Sequence, residues 1–304
     1  MFFPFSKKFR FRELNEAQLA YLIIFPSVVI LLCVIFYPII YTFYLSFHKM
    51  FLTQPGRVPF IGLKNYIRFF HSSFFWNALL RTAYFTFLSV GMELILGLGI
   101  ALLLNQNLIG SKFLRVSIMI PWAIPTVVIG IMWKWIYNAN YGALNGLLFS
   151  LGIIPKYQAW LAKPFIAMNF VIIADVWHMT PFVVLIFLAS LAVLPKALYE
   201  AAKIDGASAW KCFKSITLPL LTPAILVVLV FRTVEAFKVF DIIYVMTRGG
   251  PANATQVINY YTYLETFSYL HFGRGSALSF IISAIVLIIA LIYIKLLYKG
   301  IEYY

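Results

Sequence analysis

The sequence predicts an all-α integral membrane protein with six transmembrane helices, and three observations carry that prediction. Of 304 residues 63% are hydrophobic and 11% charged, against roughly 45–50% apolar and about 25% charged in soluble domains. Thirty-four charged side chains coat two soluble domains only thinly, so lipid is the main solvent. Six long intervals almost free of charge then recur along the chain, each near the ~20 residues a spanning helix needs.

In order, Ala20 to Phe47 is uncharged, Thr82 to Leu104 contains only Glu93, and Val116 to Trp133 is uncharged though short. Pro164 to Leu194 contains only Asp175, and Gly275 to Ile294 is uncharged. The fifth interval, Leu218 to Thr247, is apolar at both ends but carries Arg232, Glu235, Lys238 and Asp241 through its middle. The first follows Lys7, Lys8, Arg10 and Arg12 and outlasts the 7–15 residues of a signal-peptide core, so it is expected to stay in the membrane. Around these spans (20–297) the chain divides into an arm, 1–19, and a tail, 298–304.

Orientation follows Lys and Arg. The arm, the loops Asn105 to Arg115 and Pro195 to Ile216, and the tail hold twelve basic residues, against ten in longer loops on the other side. The density bias places both termini in the cytoplasm. Opposite them, Leu63, Tyr66, Ile67 and Phe70 at helical spacing predict one amphipathic helix within Gly62 to Arg81. A net charge of +14 without a basic cluster points to anionic headgroups and not to nucleic acid. Cys33 and Cys212 lie too far apart in sequence to suggest a disulfide framework or a metal site.

The loop 195–216 is too regular for a linker. Pro195 suits a first helical turn, Ala197 to Ile204 are mostly helix formers, Gly206 offers a stop and Ser208 a cap for a second short helix. Glu200-Ala201-Ala202, then Gly206, then Ile216-x-Leu218-Pro219 resembles the EAA signature of membrane subunits of bacterial ABC importers. Phe60-Ile61-Gly62-Leu63-Lys64-Asn65-Tyr66, Ile120-Pro121-Trp122-Ala123-Ile124-Pro125, Leu188-Ala189-Ser190-Leu191 and Thr247-Arg248-Gly249-Gly250-Pro251 resemble the carbohydrate-uptake branch, of the maltose and glycerol-phosphate permease type. The resemblance runs from about Ala20 to Lys295.

It implies a type I importer permease fold in which the EAA loop is a coupling helix docked on a cytoplasmic ATPase dimer. Glu200 is its charged anchor, Ala201 and Ala202 its close-approach face and Gly206 its turn. It also implies a second, homologous permease and an external solute-binding protein as partners. The chain is expected to be no enzyme and to bind no cofactor, because it contains no GxxxxGK[ST] phosphate loop; ATP and Mg belong to the ATPase.

Charges inside spans are costly and face interiors or water-filled cavities. Asp175, His178, Met179 and Phe182 fall at i, i+3, i+4 and i+7 and share a helical face. A carboxylate and imidazole beside an aromatic suit a sugar, which presents hydroxyls at its edge and C–H patches on its ring faces. Arg232, Glu235, Lys238 and Asp241, three apart with alternating sign, read as an ion-pair ladder. Counted back from Gly249-Gly250-Pro251, the resemblance places cavity-lining positions at Glu235, Ala236 and Val239, with Lys238 adjacent. Glu93 reads as a buried hydrogen-bonded carboxylate. Lys238, Arg232 and His178 keep an acidic sugar or sugar phosphate open as the cargo. An ion-coupled secondary transporter is the competing class, although no paired repeat is visible. A lipid-linked-sugar enzyme lacks paired loop carboxylates.

Overall fold

A computed structural model describes residues 15–54, 56–106 and 110–298. Lys7, Lys8, Arg10, Arg12 and Lys299 lie outside the described residues, as do most of the arm and tail. Among the described residues there is no β-strand, and one isolated bridge joins His48 to Phe60.

Helix α1 (Glu16–Ser46) has its first buried residue at Leu45. A π-turn at Leu32–Phe36 precedes Pro38, whose missing N–H and ring bulk are accommodated by the widened turn. The amphipathic stretch expected within Gly62 to Arg81 is two elements. Helix α2 (Lys64–Phe70) stops at His71, and α3 (Ser73–Leu104) begins after Ser72 and continues as the second span. Asn65 in α2 is buried and donates through Nδ2 to the carbonyls of Ser46 and His48 at 2.8 and 3.0 Å, so α2 is fastened to the end of α1.

The third span is not straight. Helices α4 (Ser111–Ala123) and α5 (Thr126–Ile136) meet at 95° across Ile124 and Pro125. Pro121 and Pro125 each remove a backbone donor, which favours the break, while the two helices extend past the uncharged run to Ser111 and Ile136. After α6 (Ala143–Ser150), the long α7 (Pro164–Ala192) forms the fourth span at the expected place. The loop helix α8 (Lys196–Ile204) follows.

Ser208 does cap a helix, its Oγ accepting from Lys211 N at 3.3 Å. That helix is no short loop element, however. α9 (Ala209–Leu220) runs directly into the fifth span, where α10 (Thr222–Phe237) follows at Leu221 and the stretch Thr222–Met246 lies at 61° to α9. The span breaks again at Lys238 to Phe240 before α11 (Asp241–Met246). Helix α12 (Ile258–Tyr263) lies between spans five and six, and α13 (Phe272–Tyr298) is the sixth.

The core sits where α3, α7 and α10 meet, with α5 and α11 closing one end through Ile129, Ile242 and Ile243. Elsewhere the spans expose apolar side chains on nearly every turn, as lipid requires. α3 and α7 approach closely at Gly97, where an added Cβ would lie 2.6 Å from Val183 Cγ1 and 2.9 Å from its Cβ. Val183 is fully buried. Gly97→Ala is therefore expected to destabilise the bundle by about 1–3 kcal/mol through overpacking. Thermal unfolding in detergent should show a lowered midpoint, partly restored by adding Val183→Ala; a G97A protein as stable as the parent contradicts this close packing.

Candidate functional site

The fifth span places Arg232 inside the bundle, where it is 2% exposed. A guanidinium so buried needs its donors filled and its charge matched. Glu93 of α3, fully buried, takes it in a two-pronged grip: Nε donates to Oε2 at 2.6 Å and Nη2 to Oε1 at 2.8 Å. Nη2 also donates to Asp175 Oδ2 of α7 at 3.3 Å, and Nη1 to Glu235 Oε2 at 3.0 Å. Three spans are thus pinned at one cation. The carboxylates grade outward: the side chain of Glu93 is 0% exposed, that of Asp175 9%, and that of Glu235 41%.

Asp175 and Glu235 open onto a cavity of about 520 Å³ that His178, Met179, Ala236, Lys238 and Val239 also line. His178 is buried, and its Nδ1 has no hydrogen-bond partner among the described residues. Buried ring nitrogens are normally satisfied, so this atom is an unused polar group within the cavity wall. Seven of the eight residues read from the sequence as a solute path converge here. Phe182 does not line the cavity; its ring packs on Trp122 and Phe231 at centroid separations of 5.9 and 5.0 Å.

The ladder read along the fifth span has only its first rung. Arg232 pairs with Glu235, but among the described residues Lys238 and Asp241 form no ion pair. The helix ends at Phe237 and restarts at Asp241, so the three-residue spacing no longer keeps these groups on one face. Glu93 is the buried, hydrogen-bonded carboxylate it was expected to be. Its partner was hidden, since lone charges on separate spans carry no sign of which will meet.

The break at Trp122 to Thr126 also walls the cavity, with Phe240 and Asp241. The two prolines in Ile120 to Pro125 are the signal that could have found it. The cavity lining carries three carboxyl groups, those of Asp175, Glu235 and Asp241, against the cationic Arg232 and Lys238, with Glu93 buried behind Arg232.

At the opposite end of the same span, α8 stops in a Schellman turn: Ala207 N donates to Ala202 O at 2.8 Å and Gly206 N to Lys203 O at 3.1 Å. Gly206 has φ +74°, the left-handed region that other L-residues enter at a cost. Glu200 and Ala201 are exposed and Ala202 half-buried, and Glu200 has no ion pair among the described residues. Tyr199 turns inward and shares a 2.9 Å hydrogen bond with the buried Thr217 hydroxyl, tying α8 to α9. No group of three or more His, Cys, Asp or Glu able to hold a metal occurs among the described residues.

Residues 93–302 match the family described as binding-protein-dependent transport system inner membrane component. The trehalose/maltose transport system permease MalF of Thermococcus litoralis is 44% identical over 293 residues, covering 95% of this chain and 96% of that one. The trehalose permease SugA of Mycobacterium tuberculosis is 39% identical, with 93% and 90% covered. The sulfoquinovosyl glycerol permease SmoG of Agrobacterium fabrum is 36% identical, with 95% and 93% covered. In structure, a chain of a bacterial ABC transporter that imports the acidic polysaccharide alginate superposes with a TM-score of 0.80, covering 92% of this chain and 95% of that one. At 23% identity this likeness concerns the fold.

Arg232→Leu should leave Glu93 as an uncompensated buried charge, at a cost of about 3–5 kcal/mol, seen as loss of monodisperse protein after detergent extraction. Adding Glu93→Gln should recover part of that stability, and Arg232→Lys, which lacks the two-pronged geometry, should not substitute. Equal losses in the single and double variants would show that the pair is not the anchor.

Proposed function

The chain belongs to the family of binding-protein-dependent transport inner-membrane components, and from that premise we propose that it forms half of the pathway by which a neutral sugar or oligosaccharide enters the cell. It is a multi-pass inner-membrane permease subunit of an ATP-driven importer and not itself an enzyme. The other half is a second, homologous permease. An ATPase dimer, using ATP and Mg, docks on the face that carries α8, and an external binding protein delivers the sugar to the opposite face. Both termini then lie in the cytoplasm of a bacterial or archaeal cell.

The observation that carries this reading is the continuity between the exposed α8 and the cavity. α8 is joined to α9 through Tyr199 and Thr217, and α9 runs through the bend into α10, which carries Arg232, Glu235 and Ala236 to the cavity wall. A displacement of α8 by the ATPase travels along this one span to the groups that meet the solute. Glu200 supplies the charge, and Ala201 and Ala202 the low profile, for that docking. An ATPase drives the switch only through contacts that differ between inward- and outward-open states, and this continuous span links its docking face to the cavity.

Asp175 and Glu235, with the His178 ring beside them in the wall, offer hydrogen-bonding groups to hydroxyls, and Met179, Ala236 and Val239 offer apolar surface to ring faces. Carboxyl groups outnumber cationic ones three to two along the lining, which disfavours an anion there and sets neutral sugars ahead of acidic sugars or sugar phosphates. The named relatives include trehalose and maltose systems as well as a sulfonated-sugar system, so the charge at the cavity is what separates the cases. Phe182 keeps an indirect place, bracing Trp122 from behind.

Two measurements test the reading. In vesicles containing this chain, a partner permease, the ATPase and the binding protein, uptake of a neutral sugar should require internal ATP and survive an uncoupler; the reverse pattern favours ion coupling. Gly206→Val should leave insertion and assembly intact and abolish that uptake, since a β-branched side chain at φ +74° misdirects the end of α8. Unchanged uptake by G206V would remove α8 from the coupling path.

A further inference from the structure

Two crevices follow the seam between α3 and α7. The first, about 440 Å³ at the end of the bundle opposite α8, is lined by Asn77, Arg81 and Tyr84 of α3 and by Pro164, Phe165 and Met168 of α7. The second, about 570 Å³, is walled mainly by apolar groups, among them Met92 and Leu96 of α3, Pro121 of α4, and Ile173 and Trp177 of α7. Its Thr180 hydroxyl is engaged by its own helix, donating to Val176 O at 2.6 Å. This groove and the cavity use different residues of α7: Ile173, Trp177 and Pro181 in one, Asp175, His178 and Met179 in the other.

The first crevice is cationic where the hydrocarbon begins. Arg81 immediately precedes the run Thr82 to Leu104, and Lys163 immediately precedes the run Pro164 to Leu194. Arg81 is half-buried, no carboxylate lines its crevice, and neither cation forms an ion pair among the described residues. A cation so placed seeks an anion at headgroup depth. Below it the two crevices are joined by matching stripes. Tyr84, Met92 and Leu96 on α3, and Phe165, Asn169, Ile173 and Trp177 on α7, are spaced in fours and so keep to one face of each helix. The stripes are tied together where Tyr84 Oη donates to Asn169 Oδ1 at 2.8 Å, while Asn169 Nδ2 donates to Phe165 O at 2.9 Å. From Phe165 to Trp177 the helix rises about 18 Å, close to the ~15 Å depth of one leaflet of hydrocarbon.

We propose that this seam is a binding site for one anionic phospholipid, its phosphate held by Arg81 and Lys163 and one acyl chain laid past the Tyr84–Asn169 pair into the groove at Trp177. The guanidinium fork suits phosphate oxygens, and an apolar helix laid in the same groove brings no anion to Arg81. The chain end lies against Pro121, beside the 95° break of the third span, and against Trp177, whose ring meets Trp133 of α5 edge-on at 5.7 Å. The lipid therefore braces, from the membrane side, the broken span that walls the cavity.

The test uses the assembled complex, extracted in mild detergent from membranes containing phosphatidylglycerol and phosphatidylcholine, with bound lipid counted by native mass spectrometry. The parent should retain a phosphatidylglycerol in preference to phosphatidylcholine. Arg81→Gln should retain it about tenfold less, as the loss of a charge-assisted contact gives, and Arg81→Lys should keep most of it. Ile173→Trp, which fills the groove and leaves Arg81 in place, should lose it too. In nanodiscs, adding phosphatidylglycerol to phosphatidylcholine should raise the unfolding temperature of the parent by mass action and leave that of Arg81→Gln unmoved, while in phosphatidylcholine alone all four proteins unfold alike. Equal retention by Arg81→Gln and parent overturns the proposal. Full retention by Ile173→Trp, or displacement by excess inorganic phosphate, would reduce the site to a headgroup or free phosphate and overturn the seated chain. A parent complex that retains no phosphatidylglycerol overturns the proposal and leaves the groove to the partner permease.

Discussion

Everything in this bundle is arranged around one buried cation. Arg232 cannot stay in a lipid-surrounded interior unless its donors and charge are met, and Glu93, Asp175 and Glu235 meet them from three spans. The same constraint makes the cavity. Glu93 takes two of the guanidinium's four hydrogen bonds, so Asp175 and Glu235 each give one oxygen to it and keep further lone pairs beside the open volume. A fully buried pair anchors the helices while half-engaged carboxylates remain for a ligand.

That arrangement turns the fifth span into a lever. Its far end begins at Ser208, beside the exposed α8, and its middle is fixed to α3 and α7 at Arg232. The bend at Leu221 and the break at Lys238 to Phe240 give two places where the span changes direction. Prolines at 219 and 223 account for the first interruption, while the helical segments on either side transmit movement.

Much of this was legible in the sequence, because lipid leaves few choices. Long uncharged runs place the first, fourth and sixth spans within a few residues, while the second and fifth begin nine residues ahead of their runs, and the helix, Gly206 stop and Ser208 cap of the loop follow from residue types. Legibility failed where structure depends on encounters between distant segments. The pairing of Arg232 with Glu93 spans 139 positions, and periodicity within a helix says nothing of it. The ladder failed because a helix break cancelled its spacing, and Phe182 because a shared helical face does not say which part of that face a neighbour covers. The 95° break in the third span was written in Pro121 and Pro125 but read as shortness.

The central claim is that the partly used polar groups beside Arg232 wall a water-accessible path. Thiol accessibility tests it most directly, with Cys33 and Cys212 first replaced by serine. Met179→Cys, on the cavity wall, should react with a membrane-impermeant thiol reagent and be protected by the transported sugar in the assembled complex. Phe182→Cys, one turn further along the same helix but behind Trp122 and Phe231, should react slowly and show no protection. Rapid, sugar-protected labelling at 182 with none at 179 would contradict the account.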